Sequence, residues 1–389
     1  MSSFIPFFEQ LGTRAEAQWR ALHFDDSRFT EVATQALTEL PPAEHVTPNE
    51  IVEWLFETPH LPWQAHADGI FGDPPIQLYS SEHFYIEALF WVDGSMAIHE
   101  HAFSGAFQVL AGSSLHSTYS FTRERRVSTE LELGRLQWHK SEVLERGDTR
   151  PIYFGRDTIH SLFHLDRPSV TIVMRTFRDL RTQLTYIKPG IAFAGMRELP
   201  HALLRQRTLL MLHKTDPKTF ASQATRYLET ADLHATVLLM LSFAGEGLST
   251  DILGACVDII RKRDDDFGER LETALYEALR EAEVMEWRRS VLEPDLRFVL
   301  ALLLNFPHRV SILQAIAHYG GALAPPAQLC AWLARLAEPM GPKPAVLALD
   351  TDDLAVLQKL LGAREVLTSA ETKRVTKLQE HRALEPLFL

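Results

Sequence analysis

The sequence predicts an α+β protein of several domains, in which a β-barrel is preceded by a short helical segment and followed by an all-α domain. Two changes in the character of the chain predict this order. Residues 76–187 are rich in β-branched and aromatic residues and contain frequent turn signals, which is typical of short strands. Beyond Lys188-Pro189-Gly190, apolar residues recur at helical spacing almost to the end of the chain. We therefore expect three parts, at residues 1–72, 73–187 and 188–389.

The first part is predicted to be helical. Helical patterns cover residues 14–22 and 29–40. Thr47-Pro48-Asn49-Glu50 is typical of a helix start, because Thr47 can cap the helix and Glu50 can bond back to it. We expect these short amphipathic helices to pack on the domain that follows. A turn at residues 71–75 separates the two parts.

The second part contains many short strands and no intervening helical pattern, which indicates a sandwich or a barrel. The expected strands are residues 84–92, 97–100, 106–110, 115–121, 133–138, 141–145, 151–154, 160–165 and 170–176.

The third part reads as a series of helices separated by short loops, many of which contain glycine or proline. The two cysteines, Cys256 and Cys330, lie in apolar helical patterns, so we expect reduced core thiols and no cysteine-ligated zinc. This domain could cover the barrel mouth, form a homodimer or bind a protein partner. The expected helices are residues 202–210, 220–230, 235–243, 251–261, 269–283, 296–304, 310–319, 327–336 and 351–360.

Composition and charge exclude several classes of function. The chain has 389 residues, of which 46% are hydrophobic, and a formal net charge of −12. This charge argues against electrostatic capture of nucleic acid or of an anionic membrane. The longest apolar run, residues 298–304, is too short to span a bilayer, and the N-terminus lacks the basic start of a signal peptide. We expect a cytoplasmic protein that binds a small-molecule substrate.

The candidate site begins at His99-Glu100-His101. On a strand, residues two apart point to the same face, so both imidazoles would converge on one point while Glu100 faces away. Neutral imidazole is a good ligand for iron, zinc, copper and nickel. The pattern alone is weak, because 17 histidines in 389 residues give roughly 0.7 such pairs by chance. A third histidine, His160, opens a separate expected strand and is a candidate third ligand. The alternative interpretation is three histidines in a polar barrel core.

With these residues the sequence resembles the cupin superfamily. Gly94, His99, His101 and Gly112 match its first motif, and His160 fits the histidine of its second motif. The resemblance implies a double-stranded β-helix barrel with a metal ion inside.

Two departures from the family pattern limit the resemblance to one branch of the family. Gly105 stands where the family has a metal-binding glutamate, and His164 stands where its second motif ends in asparagine. A site of three histidines is similar to that of the thiol dioxygenase branch, which includes cysteine dioxygenase and binds ferrous iron. Thr171, Val173 and Arg175 stand where that branch has a Ser-His-Tyr relay.

The charge of such a site predicts its ligands. Three neutral histidines leave the +2 charge of a metal uncompensated, so open positions attract a thiolate, a carboxylate or an enolate together with dioxygen. Iron(II) suits this chemistry, whereas zinc in the same cage would favour activation of water for hydrolysis. We expect Fe²⁺, with zinc, nickel or manganese as alternatives.

Three polar residues are candidate catalytic groups. Arg175 could hold a substrate carboxylate through two hydrogen bonds, the alternative being a surface salt bridge. His164 lies on the same strand face as His160 and could ligate the metal or transfer a proton, and Gln108 could contact the substrate. His116 and Tyr119 cannot both face inward on a regular strand.

The sequence therefore predicts a metal-dependent enzyme, a mononuclear non-haem iron oxidoreductase of the dioxygenase type that acts on a small anionic or thiol-bearing molecule. The alternative is a non-catalytic ligand-binding or sensor protein whose helical domain binds a partner.

Overall fold

The computed structural model describes residues 5–58, 61–64, 72–177, 183–195, 200–339, 345–362 and 367–389. The fold class predicted from the sequence, a β-barrel followed by an all-α region, is confirmed. Phe71, which begins the predicted turn, lies outside the described residues.

The described elements are numbered in chain order. The helices are α1 (Ile5–Ala21), α2 (Phe29–Glu39), α3 (Pro42–His45), α4 (Pro48–Glu57), α5 (Pro200–Thr215), α6 (Pro217–Thr230), α7 (Leu233–Gly245), α8 (Thr250–Arg263), α9 (Asp265–Ser290), α10 (Pro294–Asn305), α11 (Arg309–Tyr319), α12 (Pro325–Leu336), α13 (Thr351–Leu361) and α14 (Ser369–Leu378). The strands are β1 (Pro75–Ser80), β2 (Phe84–Trp91), β3 (Ser95–His101), β4 (Gly105–Ala111), β5 (Ser114–Arg126), β6 (Leu131–Leu144), β7 (Thr149–Ile152), β8 (Gly155–His164), β9 (Ser169–Thr176), β10 (Leu184–Ile187) and β11 (Ile191–Ala194).

The strands form two sheets. A five-stranded sheet has the order β1-β2-β9-β4-β7, and a closed six-stranded sheet has the order β10-β11-β6-β5-β8-β3. Residues of both sheets meet in one buried cluster, which includes Phe107 and Val173 of the first and Leu144 and Leu162 of the second. The interior of the β region therefore lies between the two sheets.

Alternation along the strands of the five-stranded sheet separates its two faces. Phe84, Ile86 and Ala88 of β2 pack against the N-terminal helices, as do Ala106 and Leu110 of β4. The residues between them point to the interior. Helix α4 begins with the capping box that the sequence predicts, because Thr47 accepts from the backbone N–H of Glu50 and the Glu50 side chain bonds back.

Several strands differ from the sequence expectation. Residues 133–138 and 141–145 were expected as two strands, but residues 133–144 belong to the single long strand β6, which pairs with β5 along its length. Strands β1, β10 and β11 were not expected, and two of them have only four residues, which is too short for a clear alternation. Lys188-Pro189-Gly190 joins β10 to β11, so the closed sheet extends past the boundary expected at residue 187.

Helices α5–α14 pack on the outside of the six-stranded sheet. One buried cluster joins Leu115 and Phe163 of the sheet to α10, and another joins Leu133 and Phe193 to α7–α9. None of the described helices is long and apolar enough to cross a membrane.

Arg297 on α10 is the most heavily bonded side chain at this interface. It is fully buried, and it donates to the carbonyl oxygens of Val291, Leu165 and Asp166 at 3.0, 3.3 and 3.2 Å. Its Nη2 lies 2.9 Å from a carboxylate oxygen of Asp93, next to β3. Arg297 therefore fastens the helical region to the loops that flank the β region.

We predict that Arg297→Ala lowers the free energy of unfolding by about 3 kcal/mol, because it removes the donor to three carbonyl oxygens and one of the two arginines that pair with Asp93. The control is Arg335→Ala, which removes an ion pair with Asp295 between half-exposed side chains and should cost less than about 1 kcal/mol. Urea denaturation of both variants measures the difference, and equal costs would contradict the anchoring role of Arg297.

Candidate metal centre

Three histidines meet on the inner face of the six-stranded sheet. His99 and His101 lie on β3, and His160 lies on β8 directly opposite His99 in the antiparallel register. The pairing of β3 with β8 is irregular between His99 and His101, and such irregularities re-aim side chains. All three histidines are buried.

The three rings are almost equally spaced. Their centroids lie 4.6 Å apart for His99 and His101, 4.8 Å for His99 and His160, and 4.7 Å for His101 and His160. One nitrogen from each ring lies within 4.8 Å of the other two, so the cluster can hold one metal ion. A barrel with three convergent histidines is the arrangement that the cupin resemblance implies. Whether these residues ligate a metal stays a prediction.

Burial keeps the imidazoles neutral, which is the form that binds metals. It lowers the pKa of His99 to about 4, and it holds the pKa values of His101 and His160 well below the ordinary range. The Nδ1 of His99 lies 2.8 Å from the carbonyl oxygen of Ala97, so Nδ1–H donates there and Nε2 carries the lone pair. The donor set therefore fits a divalent transition metal.

A cavity of about 50 Å³ lies beside the histidines, which is room for a few water molecules or a small ligand. Apart from the histidines its walls are mostly apolar, with Glu87, Arg175 and Thr171 as the polar exceptions. No residue from the described helical region lines this cavity. The apolar lining consists of Leu89, Trp91, Phe103, Phe107, Ile152, Leu162 and Val173.

Gly105 has a structural reason for not being glutamate. It lies opposite Arg175 on β9, and a Cβ at this position would be 2.2 Å from the carbonyl oxygen of Met174 and 2.9 Å from the Cα of Arg175. No side chain fits on this backbone. The carboxylate of the usual cupin motif therefore has no place here, and the cluster consists of neutral ligands.

Arg175 lines the cavity and is buried, so the surface salt bridge does not describe it. Its Nε lies 3.0 Å from Oε1 of Glu87, and it also donates to the hydroxyl of Tyr85. The guanidinium carbon lies 4.3 Å from the ring centroid of Phe103 and 4.9 Å from that of Tyr85. The arginine is thus held rigidly, and its charge is balanced by Glu87. Burial raises the pKa of Tyr85 to about 12, so the phenol stays protonated.

The expected role of Gln108 is not supported by its position. Gln108 shares the parity of Ala106 and Leu110, so its side chain points to the N-terminal helices and not to the cavity. There it accepts from the backbone N–H of Ala43 at 3.0 Å and donates to the carbonyl of Leu37 at 3.1 Å. Its function in the fold is to fasten these helices to β4.

His164 faces inward with His160, as alternation predicts, but lies away from the cluster. Its Nδ1 is 2.8 Å from Oγ of Ser114, and its ring stacks on Trp91 at a centroid distance of 4.7 Å. It does not line the cavity. His164 therefore packs behind Trp91, which lines the cavity. The geometry does not favour a role for His164 as a ligand or proton carrier.

Glu87 was not predicted from the sequence, and the sequence left open whether His116 or Tyr119 faces inward. Glu87 is the one charged residue of the apolar strand β2, and that isolation was the available signal. The pairing of β5 with β8 is regular from Ser114 to Tyr119, so the two side chains lie on opposite faces of β5. His116 points inward and lies 2.9 Å from His160, whereas Tyr119 packs with Tyr186 on the other side of the sheet.

No protein-family model matches the chain, and no curated protein matches it in sequence. Solved structures that show a distant likeness include three enzymes. One is a hydroquinone 1,2-dioxygenase from Sphingomonas sp. TTNP3, with 10% identity over 27% of this chain and 66% of that chain, and a TM-score of 0.22. Another is a hydroquinone 1,2-dioxygenase in complex with Cd²⁺ and 4-hydroxybenzonitrile, with 16% identity over 28% of this chain and 65% of that chain, and a TM-score of 0.21.

The third is the DMSP lyase DddQ from Ruegeria pomeroyi DSS-3, with 18% identity over 46% of this chain and 94% of that chain, and a TM-score of 0.24. The chain spans just under two thirds of the length of the two dioxygenase chains, at 66% and 65%. At these identities and TM-scores the likenesses carry no argument about activity.

The burial of His164 predicts a pH dependence of stability. Its pKa falls to about 3 in the folded protein, against about 6.5 for an unperturbed histidine. Between these values the unfolded chain binds a proton that the folded chain does not, so stability is lost as pH falls below about 6.5. His164→Gln should make the loss between pH 6 and pH 5 shallower by up to about 1.4 kcal/mol per pH unit. Urea denaturation at pH 7, 6 and 5 measures this, and a variant with the slope of the wild type would refute the assignment.

Proposed function

We propose that this protein is a metal-dependent enzyme, a mononuclear non-haem iron oxidoreductase of the dioxygenase type that acts on a small anionic or thiol-bearing molecule. His99, His101 and His160 would hold the metal. The observation that carries the proposal is the convergence of three buried, neutral imidazoles on one point beside a cavity.

The charges around the cavity favour an anionic substrate. The three histidines are neutral, and Arg175 and Glu87 form a pair whose charges cancel. A divalent ion would therefore bring an uncompensated +2 charge into an apolar, buried site, where an anion is strongly attracted. Ferrous iron, when bound, would supply coordination positions at which such an anion and dioxygen meet. For a thiolate the overall reaction balances as RS⁻ + O₂ → RSO₂⁻.

The residues of the chain would position the substrate and exclude water. Trp91 donates from Nε1 to Oγ1 of Thr171 at 3.2 Å, which fixes the indole as one wall of the cavity. The guanidinium of Arg175 contacts the rings of Phe103 and Tyr85 and is bonded to Glu87, so its remaining N–H groups have fixed directions. A substrate with a carboxylate would find in Arg175 a rigid donor that needs little reordering.

Metal content tests the ligand assignment. We expect wild-type protein purified without oxygen to contain close to one equivalent of a first-row metal, and His99→Ala and His160→Ala to contain at most about a tenth of that amount, because two imidazoles hold a divalent ion weakly. Inductively coupled plasma mass spectrometry gives the metal content. His139→Ala, which removes an exposed histidine on β6, should retain the wild-type amount.

The assignment is wrong if both ligand variants keep the wild-type metal content while circular dichroism shows that they are folded. Oxygen consumption by the iron-loaded protein, measured with thiols, carboxylates and enols in turn, then tests the reaction type.

A non-catalytic sensor is the second candidate. Thr171, Val173 and Arg175 stand where the thiol dioxygenase branch has its Ser-His-Tyr relay, so the cavity could bind a ligand without turning it over. Tight binding of a compound that causes no oxygen consumption would favour this alternative. Helices α5–α14 would then be the part that binds a partner.

A further inference from the structure

A second histidine lies directly behind His160, on the side away from the other two ligands. Nε2 of His116 is 2.9 Å from Nδ1 of His160, and the two rings are nearly perpendicular, at 86°. His116 belongs to β5 and pairs with Leu162 of β8, so it is held by the same closed sheet as the ligands. It is buried, with 5% of its surface exposed.

A carboxylate stands behind His116 in turn. Glu142 lies opposite His116 in the register of β5 and β6, and its Oε1 is 3.5 Å from Nδ1 of His116, an ion-pair distance that is longer than a hydrogen bond. Arg150 holds the same carboxylate with Nε at 3.0 Å and Nη2 at 3.1 Å, and Lys140 approaches it at 3.2 Å. Two cations therefore keep Glu142 ionised and in place.

We propose that Glu142 and His116 form a relay that fixes the tautomer of His160, so that Nε2 of His160 presents a lone pair to the metal. The inference rests on the proposed metal centre. It assigns to His116 a positioning role, since it acts through His160 and does not line the cavity.

The positions of the protons along the relay follow from which groups can donate a hydrogen bond and which can only accept one. An ionised carboxylate can only accept, so the proton of His116 that faces Glu142 is on Nδ1. A neutral imidazole carries one N–H, so Nε2 of His116 accepts and Nδ1 of His160 donates to it. Nδ1 of His160 is then protonated, and Nε2 is left with the lone pair that a metal needs.

The two ligands of the β3–β8 pair are thus oriented in different ways. Nδ1–H of His99 donates to a backbone carbonyl, that of Ala97, which no side-chain substitution removes. Nδ1–H of His160 depends instead on a side chain, that of His116. Without His116 the proton of His160 can move to Nε2, where it blocks the metal. Of these two ligands, His160 is the one whose orientation can be altered by mutating its partner.

Three variants separate the relay from general packing. His116→Leu removes the acceptor at similar volume, His116→Gln keeps an acceptor oxygen that can reach the position of Nε2, and Glu142→Gln keeps the shape but loses the charge. The matched control is His234→Gln, which alters another buried histidine, one that bonds only to the carbonyl of Ala194 at 2.9 Å among the described hydrogen bonds.

Zinc affinity is measured by competition with a chromophoric chelator. We expect His116→Leu to weaken zinc binding 10- to 100-fold, which is the usual effect of losing the partner of a ligand histidine. His116→Gln should recover most of this loss, Glu142→Gln should lie between the two, and His234→Gln should bind as the wild type does. If His116 only fills space, glutamine at this position would not restore zinc affinity.

The tautomer is read in the metal-free protein from the ¹⁵N signals of labelled histidine, so this measurement does not depend on the proposed function. We expect Nδ1 of His160 to be protonated in the wild type and in His116→Gln, and the proton to shift toward Nε2 in His116→Leu. If His116→Leu does not fold, the pair His116→Gln and Glu142→Gln decides.

Unchanged His160 signals together with wild-type zinc affinity in Glu142→Gln and His116→Leu would overturn the relay and leave the metal centre standing. Wild-type protein that binds no metal, but has the expected tautomer, would overturn the proposed function and leave the relay standing.

Discussion

The position of the candidate site depends on one backbone pairing, that of His99 on β3 with His160 on β8. A shift of one residue in either strand would turn its imidazole to the outer face, where the helical region packs. The six-stranded sheet closes on itself, so β3 and β8 have neighbours on both sides and no free edge along which to slip. The closed sheet is thus what allows three polar rings to be buried together in a fixed register.

Charge balance is the second constraint. Gly105 leaves no room for a carboxylate, because the backbone of Met174 and Arg175 occupies the space above it. The buried carboxylate of Glu87 is paired with Arg175, so it does not offset a metal. Because the ligands are neutral and the cavity is apolar, the charge of the site would come from the metal itself. Such a site attracts anions in general, and the shape of the cavity would determine which anion binds.

The residue pattern along the chain predicted which histidines come together better than it predicted which residues surround them. The spacing of His99 and His101 places them on one face of a strand, and His160 was predicted as their partner because it opens a separate strand and fits the second motif of the family. Whether Gln108 faces the cavity or the helices depends on which face of β4 the N-terminal helices cover, and no local signal carries that information. Glu87 reaches the cavity only because β2 pairs with β9, some 85 residues later in the chain. Long-range strand pairing therefore accounts for what the sequence could not predict.

The position of a bound metal ion tests the three-histidine centre most directly. Crystals of the metal-free protein soaked in zinc, with diffraction data collected on both sides of the zinc absorption edge, locate the ion directly. We expect one strong anomalous peak between His99, His101 and His160, about 2.0–2.1 Å from one nitrogen of each ring, and for His160 that nitrogen is Nε2. An ion bound elsewhere, or no ion at this point in protein that is otherwise intact, would contradict the three-histidine centre.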